Sequence, residues 1–201
     1  VQSRGPAMAK KALASLKSLL TEAQRLGYVR DNVATPVSVH RSNRLTKRIQ
    51  IPTAEEVRAT ISAAEKAWRP LLATAALSGL RASELRGLGW SHVDFAQKII
   101  RVRRRADRWN KIGPPKSKSG LRDIPFGGNI SLILQRHAET CPRGDLDLVF
   151  PNGRGRVQPL SNIWRRGLAP AQKVAGIVDD QGQAKFSLHA FRHFAASLFI
   201  A

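Results

Sequence analysis

The sequence predicts a mainly helical domain with one small antiparallel β-sheet, an α+β fold. Three observations carry this expectation. Several segments repeat apolar residues at helical spacing or open on a helix cap. Strand character is confined to residues 99–105 (IIRVRRR) and 121–126 (LRDIPF), with a Gly/Pro/Lys-rich turn region between them. The chain has 201 residues, 42% of them hydrophobic, enough for one cored domain with a small attachment.

Taken in order, residues 8–27 form an amphipathic helix. Leu13, Leu16, Leu19, Leu20, Ala23 and Leu26 recur at helical spacing, Lys10, Lys11 and Lys17 face water, and Gly27 ends it. One such helix cannot bury its own apolar stripe and needs partner helices. Residues 36–50 read as a linker, basic and polar, with Pro36, Asn43, Arg44, Lys47 and Arg48. Thr53-Ala54-Glu55-Glu56 has the form of a capping box and opens a helix to about residue 67. A second helix covers 70–78 and stops at Gly79. After the two strands come a helix over 130–139, a loop at 151–156 (PNGRGR), a helix over 161–175 and a last helix from Leu188. In that last helix Phe194, Leu198, Phe199 and Ile200 are expected to lack packing partners.

The charge narrows the function. Lys and Arg number 34 against 14 Asp and Glu, a formal +20. Successive quarters of the chain carry net charges of +8, +1, +6 and +5, and the near-neutral block, 51–100, holds the most apolar helix. A field of this size attracts polyanions, nucleic acid first among them. No segment approaches the roughly 18 apolar residues of a membrane span. A single cysteine, Cys141, excludes an internal disulfide and a cysteine-built zinc site, and a reducing cytoplasm is the expected compartment. H-E-x-x-H, G-x-x-x-x-G-K-S/T and G-x-G-x-x-G are all absent from the sequence.

Three separated segments carry a resemblance. Leu77 to Leu88 reads LSGLRASELRGL, followed by Trp90 and Asp94; residues 115–125 read PKSKSGLRDIP; residues 188–193 read LHAFRH. In this order they resemble the motif set of the tyrosine recombinases of phage-integrase type. LVFPNGRGR at 148–156, AQKVAGI at 171–177 and ALASLKSLLTEAQRLGYVRDNVA at 12–34 resemble the family's intervening and preceding segments. The resemblance implies an integrase-like DNA breaking-rejoining catalytic domain over 51–201, incomplete at its C-terminus. It also implies that 1–35 is the end of a helical core-binding domain.

It further implies roles. Phosphoryl transfer builds negative charge on the non-bridging oxygens, and two guanidiniums forking onto the phosphate stabilise it; Arg81 and Arg192 match the family's pair. Lys116 matches the lysine that protonates the leaving 5′-oxygen, with Lys118 as the alternative, and His189 matches the histidine that assists proton transfer. Glu84, one helical turn after Arg81, orients that arginine. The implied partner is double-stranded DNA, bound in the intact family by a tetramer on paired sites, with no metal, nucleotide or other cofactor. A monomer or weak oligomer is expected of this chain.

The family's nucleophile is a tyrosine downstream of the second box. The only tyrosine here, Tyr28, precedes Arg81 and reads as a packing residue at a helix end, so the chain is expected not to cleave DNA alone. Blander readings stand beside these. Arg101, Arg103, Arg104 and Arg105 form a solvated or phosphate-facing strand edge, and His189 and His193 are a structural pair. Trp68, Trp90, Trp109 and Trp164 read as packing residues, with Trp109, in the basic loop, the one candidate for a place near DNA. A DNA-binding module without chemistry is the competing function, and a type IB topoisomerase a more distant one.

Overall fold

A computed structural model describes residues 6–39 and 50–200. The chain divides into two compact units, Val1–Arg48 and Ile49–Ala201. Most of the stretch expected as a linker, 40–49, lies outside the described residues.

In the first unit, helix α1 spans Pro6–Arg25 and Gly27 turns the chain with φ +78°. The following residues fold back onto the helix. Asn32 Nδ2 donates to the Lys17 carbonyl and to Thr21 Oγ1, both at 2.9 Å, while Lys17 Nζ donates to the Thr35 carbonyl at 2.8 Å. Tyr28 is not the packing residue the sequence suggested: its ring is 80% exposed, and Leu16, Leu19 and Leu26 are exposed with it. A single helix and a turn supply no second layer to cover them.

The second unit opens as its sequence predicts. Thr53 accepts from the Glu56 N–H at 3.2 Å and its own N–H donates to Glu56 Oε2 at 2.8 Å, completing a capping box. Helix α2 spans Ala54–Ala63, a turn short of expectation. Arg69 ends it by donating to the carbonyls of Ser62 (2.8 Å) and Ala64 (2.7 Å), which satisfies terminal acceptors. Thr53→Ala is expected to cost about 1 kcal/mol of unfolding free energy, read by urea denaturation.

Helix α3 (Arg69–Ser78) is the central element, with Leu71 to Ala76 all buried. Gly79 stops it in the left-handed region, φ +63°. The short helix α4 follows over Ala82–Gly87. Strands β1 (Val93–Asp94), β2 (Ile99–Val102) and β5 (Arg122–Pro125) make an antiparallel sheet in the order β1-β2-β5. Ile100 stands opposite both Val93 and Ile124, so one sheet face is apolar. Between β2 and β5 a second hairpin pairs β3 (Arg105–Ala106) with β4 (Ile112–Gly113), where the sequence suggested only a turn region. The strand expected over 99–105 breaks because Arg104 turns inward, donating to the carbonyls of Gly87 (2.8 Å) and Leu146 (2.7 Å).

Helix α5 spans Gly128–Thr140. The helix expected over 161–175 forms as three pieces: α6 (Leu160–Asn162), a π-helical segment (Ile163–Leu168) and α7 (Ala169–Val174). Pro170 accounts for the wide turn, since it has no N–H for the Arg166 carbonyl and its ring would strike that oxygen in an α-helix. The last helix, α8, spans Leu188–Ile200 and packs against α3. Its Phe191 and Ala195 are fully buried, and Phe194 is buried too, contrary to expectation, because α3 supplies the partner face. Leu198 stays exposed, and the side chains of Phe199 and Ile200 lie outside the described residues. One core joins these elements through Leu72, Leu85, Ile100, Leu134, Ile163, Leu168 and Phe191.

Candidate functional site

Three elements bring the arginines together: the end of α3 with the start of α4, strand β5, and α8. Gly79 reverses the chain after α3, and its carbonyl accepts from the Arg192 guanidinium. A Cβ at Gly79 would stand 3.4 Å from Ala195 Cβ, so α8 crosses close to this turn. Two residues on, Arg81 is the N-cap of α4, with an extended backbone and a side chain 53% exposed.

Glu84 sits beneath it. Its side chain is only 3% exposed, yet it is charged. Arg122 of β5 grips both oxygens, at 2.7 and 3.1 Å. Arg81 donates from Nη1 at 2.7 Å and from its backbone N–H at 2.9 Å. Burial pushes the Glu84 carboxyl up, but the hydrogen bonds from Arg122 and Arg81 outweigh it and bring the pKa down to about 2. The sequence reading, that Glu84 orients Arg81, matches this geometry. Arg122 was visible only as part of an R-x-I-P strand; its pairing with a carboxylate 38 residues away has no local signal.

Arg192 and His189 complete the cluster. Burial, then the charges of Arg81 and Arg122, lower the Arg192 pKa. Burial, then His193, Arg192 and Arg81, lower that of His189, so its imidazole is neutral at pH 7. The His189 and His193 rings meet edge to face, with centroids 4.6 Å apart. A cleft beside them is lined by Ser78, Gly79, Arg122, Ile124, Arg192 and His193. Three guanidiniums and one carboxylate leave the site net positive, fitted to an anion.

Arg81, His189 and Arg192 thus come to one place. Lys116 does not join them by any hydrogen bond among the described side chains: it stands exposed between β4 and the turn Lys118–Gly120. The side chain of Lys118 lies outside the described residues. The arginine run read as a solvated or phosphate-facing edge is solvated in part: Arg103 is exposed and Arg101, Arg104 and Arg105 are half-buried. Arg101 pairs with Asp94 at 2.7 Å and Arg103 with Asp123 at 2.6 Å, while Arg104 holds two carbonyls. Among the described residues no three His, Cys, Asp or Glu side chains stand close enough to share a metal ion. None of the described helices is long and apolar enough to cross a membrane.

The family model described as the phage integrase family matches residues 50–200, which takes in every residue of this cluster. The chain belongs to the phage integrase family. Among curated relatives of this integrase-family chain, the prophage integrase IntR of Escherichia coli K12 is 31% identical over 112 residues, covering 56% of this chain and 27% of the relative. A tyrosine recombinase XerC-like protein of Caldanaerobacter subterraneus subsp. tengcongensis is 27% identical over 147 residues, covering 61% of this chain and 36% of the relative. The chain therefore spans about a quarter to a third of the length of these two relatives.

Solved structures agree on the fold. The Tn1549 transposon integrase in complex with a circular intermediate DNA superposes with a TM-score of 0.76 at 20% identity, over 99% of this chain and 68% of the other. A lambda integrase dimer bound to a COC' core site gives 0.70 at 18% identity, over 96% and 67%. At such identities the likeness is one of architecture, the mixed helical domain with a small antiparallel sheet.

Proposed function

We propose that residues 49–201 hold a phosphodiester of duplex DNA for the strand cleavage and rejoining of site-specific recombination. The observation that carries the reading is the gathering of Arg81 and Arg122 on the buried carboxylate of Glu84, with Arg192 beside them on the Gly79 carbonyl. Glu84 and Arg122 neutralise one another and lock the base of the site. Arg81 and Arg192 are left to fork onto the non-bridging oxygens, where charge grows in the transition state. A guanidinium held by a buried carboxylate costs no reorganisation when the phosphate arrives.

His189, whose pKa burial and then His193, Arg192 and Arg81 lower, serves as the proton-transfer group beside the phosphate. Lys116, exposed on its own segment, is assigned the protonation of the departing 5′-oxygen, a role that requires the segment to close onto bound DNA. Lys118 is the neighbouring candidate. Attack by a tyrosine hydroxyl on phosphorus forms the 3′-phosphotyrosine and expels that 5′-oxygen. Residues 49–201 contain no tyrosine, and Tyr28 is the only one in the chain, so the nucleophile is assigned to a residue outside this unit. The field of a +20 chain favours the DNA partner throughout.

The test is adduct formation by the full-length gene product on a nicked trapping duplex, read on a denaturing gel. Arg81→Ala is expected to slow adduct formation about 100- to 1000-fold, the scale of losing one transition-state donor, while duplex affinity falls far less. Equal losses of binding and adduct would favour a DNA-binding module built around this pocket. An unchanged adduct rate would remove Arg81 from the chemistry.

A further inference from the structure

The β3–β4 hairpin carries a feature for which the phosphate pocket has no use. At its tip the Trp109 ring is 65% exposed, and the Arg108 guanidinium lies over it, 4.0 Å from the centroid. A flat apolar face held open to water beside a cation is costly for folding alone and suits recognition.

The tip is rigid. Asp107 Oδ1 accepts from the backbone N–H of Trp109 (2.8 Å) and of Lys111 (2.9 Å). The Asp107 N–H donates to the Lys111 carbonyl at 2.9 Å. Asn110 adopts φ +64°, a conformation asparagine tolerates, and its side-chain oxygen accepts from Arg86. Buried Arg86 also donates to the carbonyls of Asp107 (3.2 Å) and Gln158 (2.7 Å). Arg86 belongs to α4, the helix capped by Arg81, and five residues of helix rise set the two arginines about 8 Å apart along it. The hairpin is thus registered on the same short helix that presents the phosphate-binding arginine.

Its charge identifies the partner. Around the tip Arg108, Lys111 and Lys116 are exposed, and Asp107 is the one acidic residue over 107–116. The lone carboxylate, Asp107, is turned toward backbone N–H groups of its own turn. A basic surface with one open aromatic face fits nucleic acid rather than a protein.

We infer that the Arg108–Trp109 pair is a second DNA contact of this domain, gripping the sugar–phosphate wall a few base pairs from the phosphate held by Arg81. This rests on the reading that residues 49–201 bind duplex DNA. Arg108 neutralises one phosphate, and Trp109 packs its face on the deoxyribose edge while keeping the guanidinium flat and partly dehydrated.

The experiment is equilibrium binding of the chain to a mixed-sequence duplex of about 25 bp across a salt series. Trp109→Ala is expected to weaken binding about 10-fold at every salt, since the lost contact is not ionic. Arg108→Ala should reduce the slope of log K against log salt by about 1, the signature of one lost phosphate contact. Both side chains end in solvent, so thermal unfolding should stay at the wild-type temperature. Wild-type binding with both variants unchanged in affinity and slope overturns the hairpin contact alone. A wild-type chain that does not bind duplex DNA at low salt overturns the DNA-binding reading and the hairpin contact together.

Discussion

Replacing Glu84 with glutamine is expected to lower the unfolding free energy by about 3 kcal/mol at neutral pH and by almost nothing near pH 2. The carboxylate is 3% exposed and receives four hydrogen bonds, two from the Arg122 guanidinium, one from that of Arg81 and one from the Arg81 backbone. Burial opposes its charge, and the arginines more than reverse that, so the pKa falls from 4.5 to about 2. In the unfolded chain the carboxyl takes up its proton first as pH falls. The stabilisation is therefore whole above pH 4.5 and fades as pH drops toward about 2. A shift of this size corresponds to about 3 kcal/mol, at the low end of what removing one member of a buried ion pair costs. Urea denaturation of both proteins from pH 7 down to pH 2.5 reads the difference. A gap that stays constant over that range would show that packing, not charge, is what Glu84 contributes. The same variant releases Arg81, so the folded fraction should also show faster side-chain motion at the site.

A loss of similar size is expected from Gln172→Leu. Gln172 is fully buried on α7, and its amide closes a two-bond ring with Phe186, donating to the carbonyl at 2.7 Å and accepting the N–H at 2.8 Å. Leucine fills the space but leaves both backbone groups unpaired in the interior. Each such group costs about 1–3 kcal/mol, so the pair should cost about 3 kcal/mol and lower the melting temperature by about 10 °C. The effect reaches the site because α8 begins two residues after Phe186, and the ring sets where His189 and Arg192 start. Amide exchange at residues 184–190 should quicken in the variant beyond the global loss of stability. Uniform exchange across the domain would mean that Gln172 serves the core and not the registration of α8.

Which helices form was legible in the chain because helix signals are local. Thr53 with Glu56, Gly79, and the apolar spacing of 130–139 each act within a turn or two, and α2, α3 and α5 appear where these residues place them. The helix over 161–175 was legible as helix but not as a π-helical turn, since the conflict at Pro170 is settled by how the chain packs around it. The β3–β4 hairpin was missed because its strands are two residues each and rest on Arg86, which comes from α4. Strand propensity has nothing to register in so short a pair.

The site divides the same way. The motifs and their order are properties of the sequence, and their resemblance to the family's motif set was sufficient to point to the phage integrase family. Arg81, Lys116, His189 and Arg192 were named through the resemblance to the family's motif set, and of these the fold brings Arg81, His189 and Arg192 together while Lys116 stands apart. Tertiary structure alone decided which cations are free. Arg101, Arg103, Arg104, Arg86 and Arg122 look alike in sequence, yet a carboxylate across the β1–β2 hairpin engages Arg101 and carboxylates or carbonyls from distant segments engage the others. Arg108 instead lies stacked on an exposed Trp109. The physical reason is that a guanidinium's role depends on the acceptors and the water around it. Those are brought together by the packing of α3, α4, β5 and α8, which no local stretch of the chain contains.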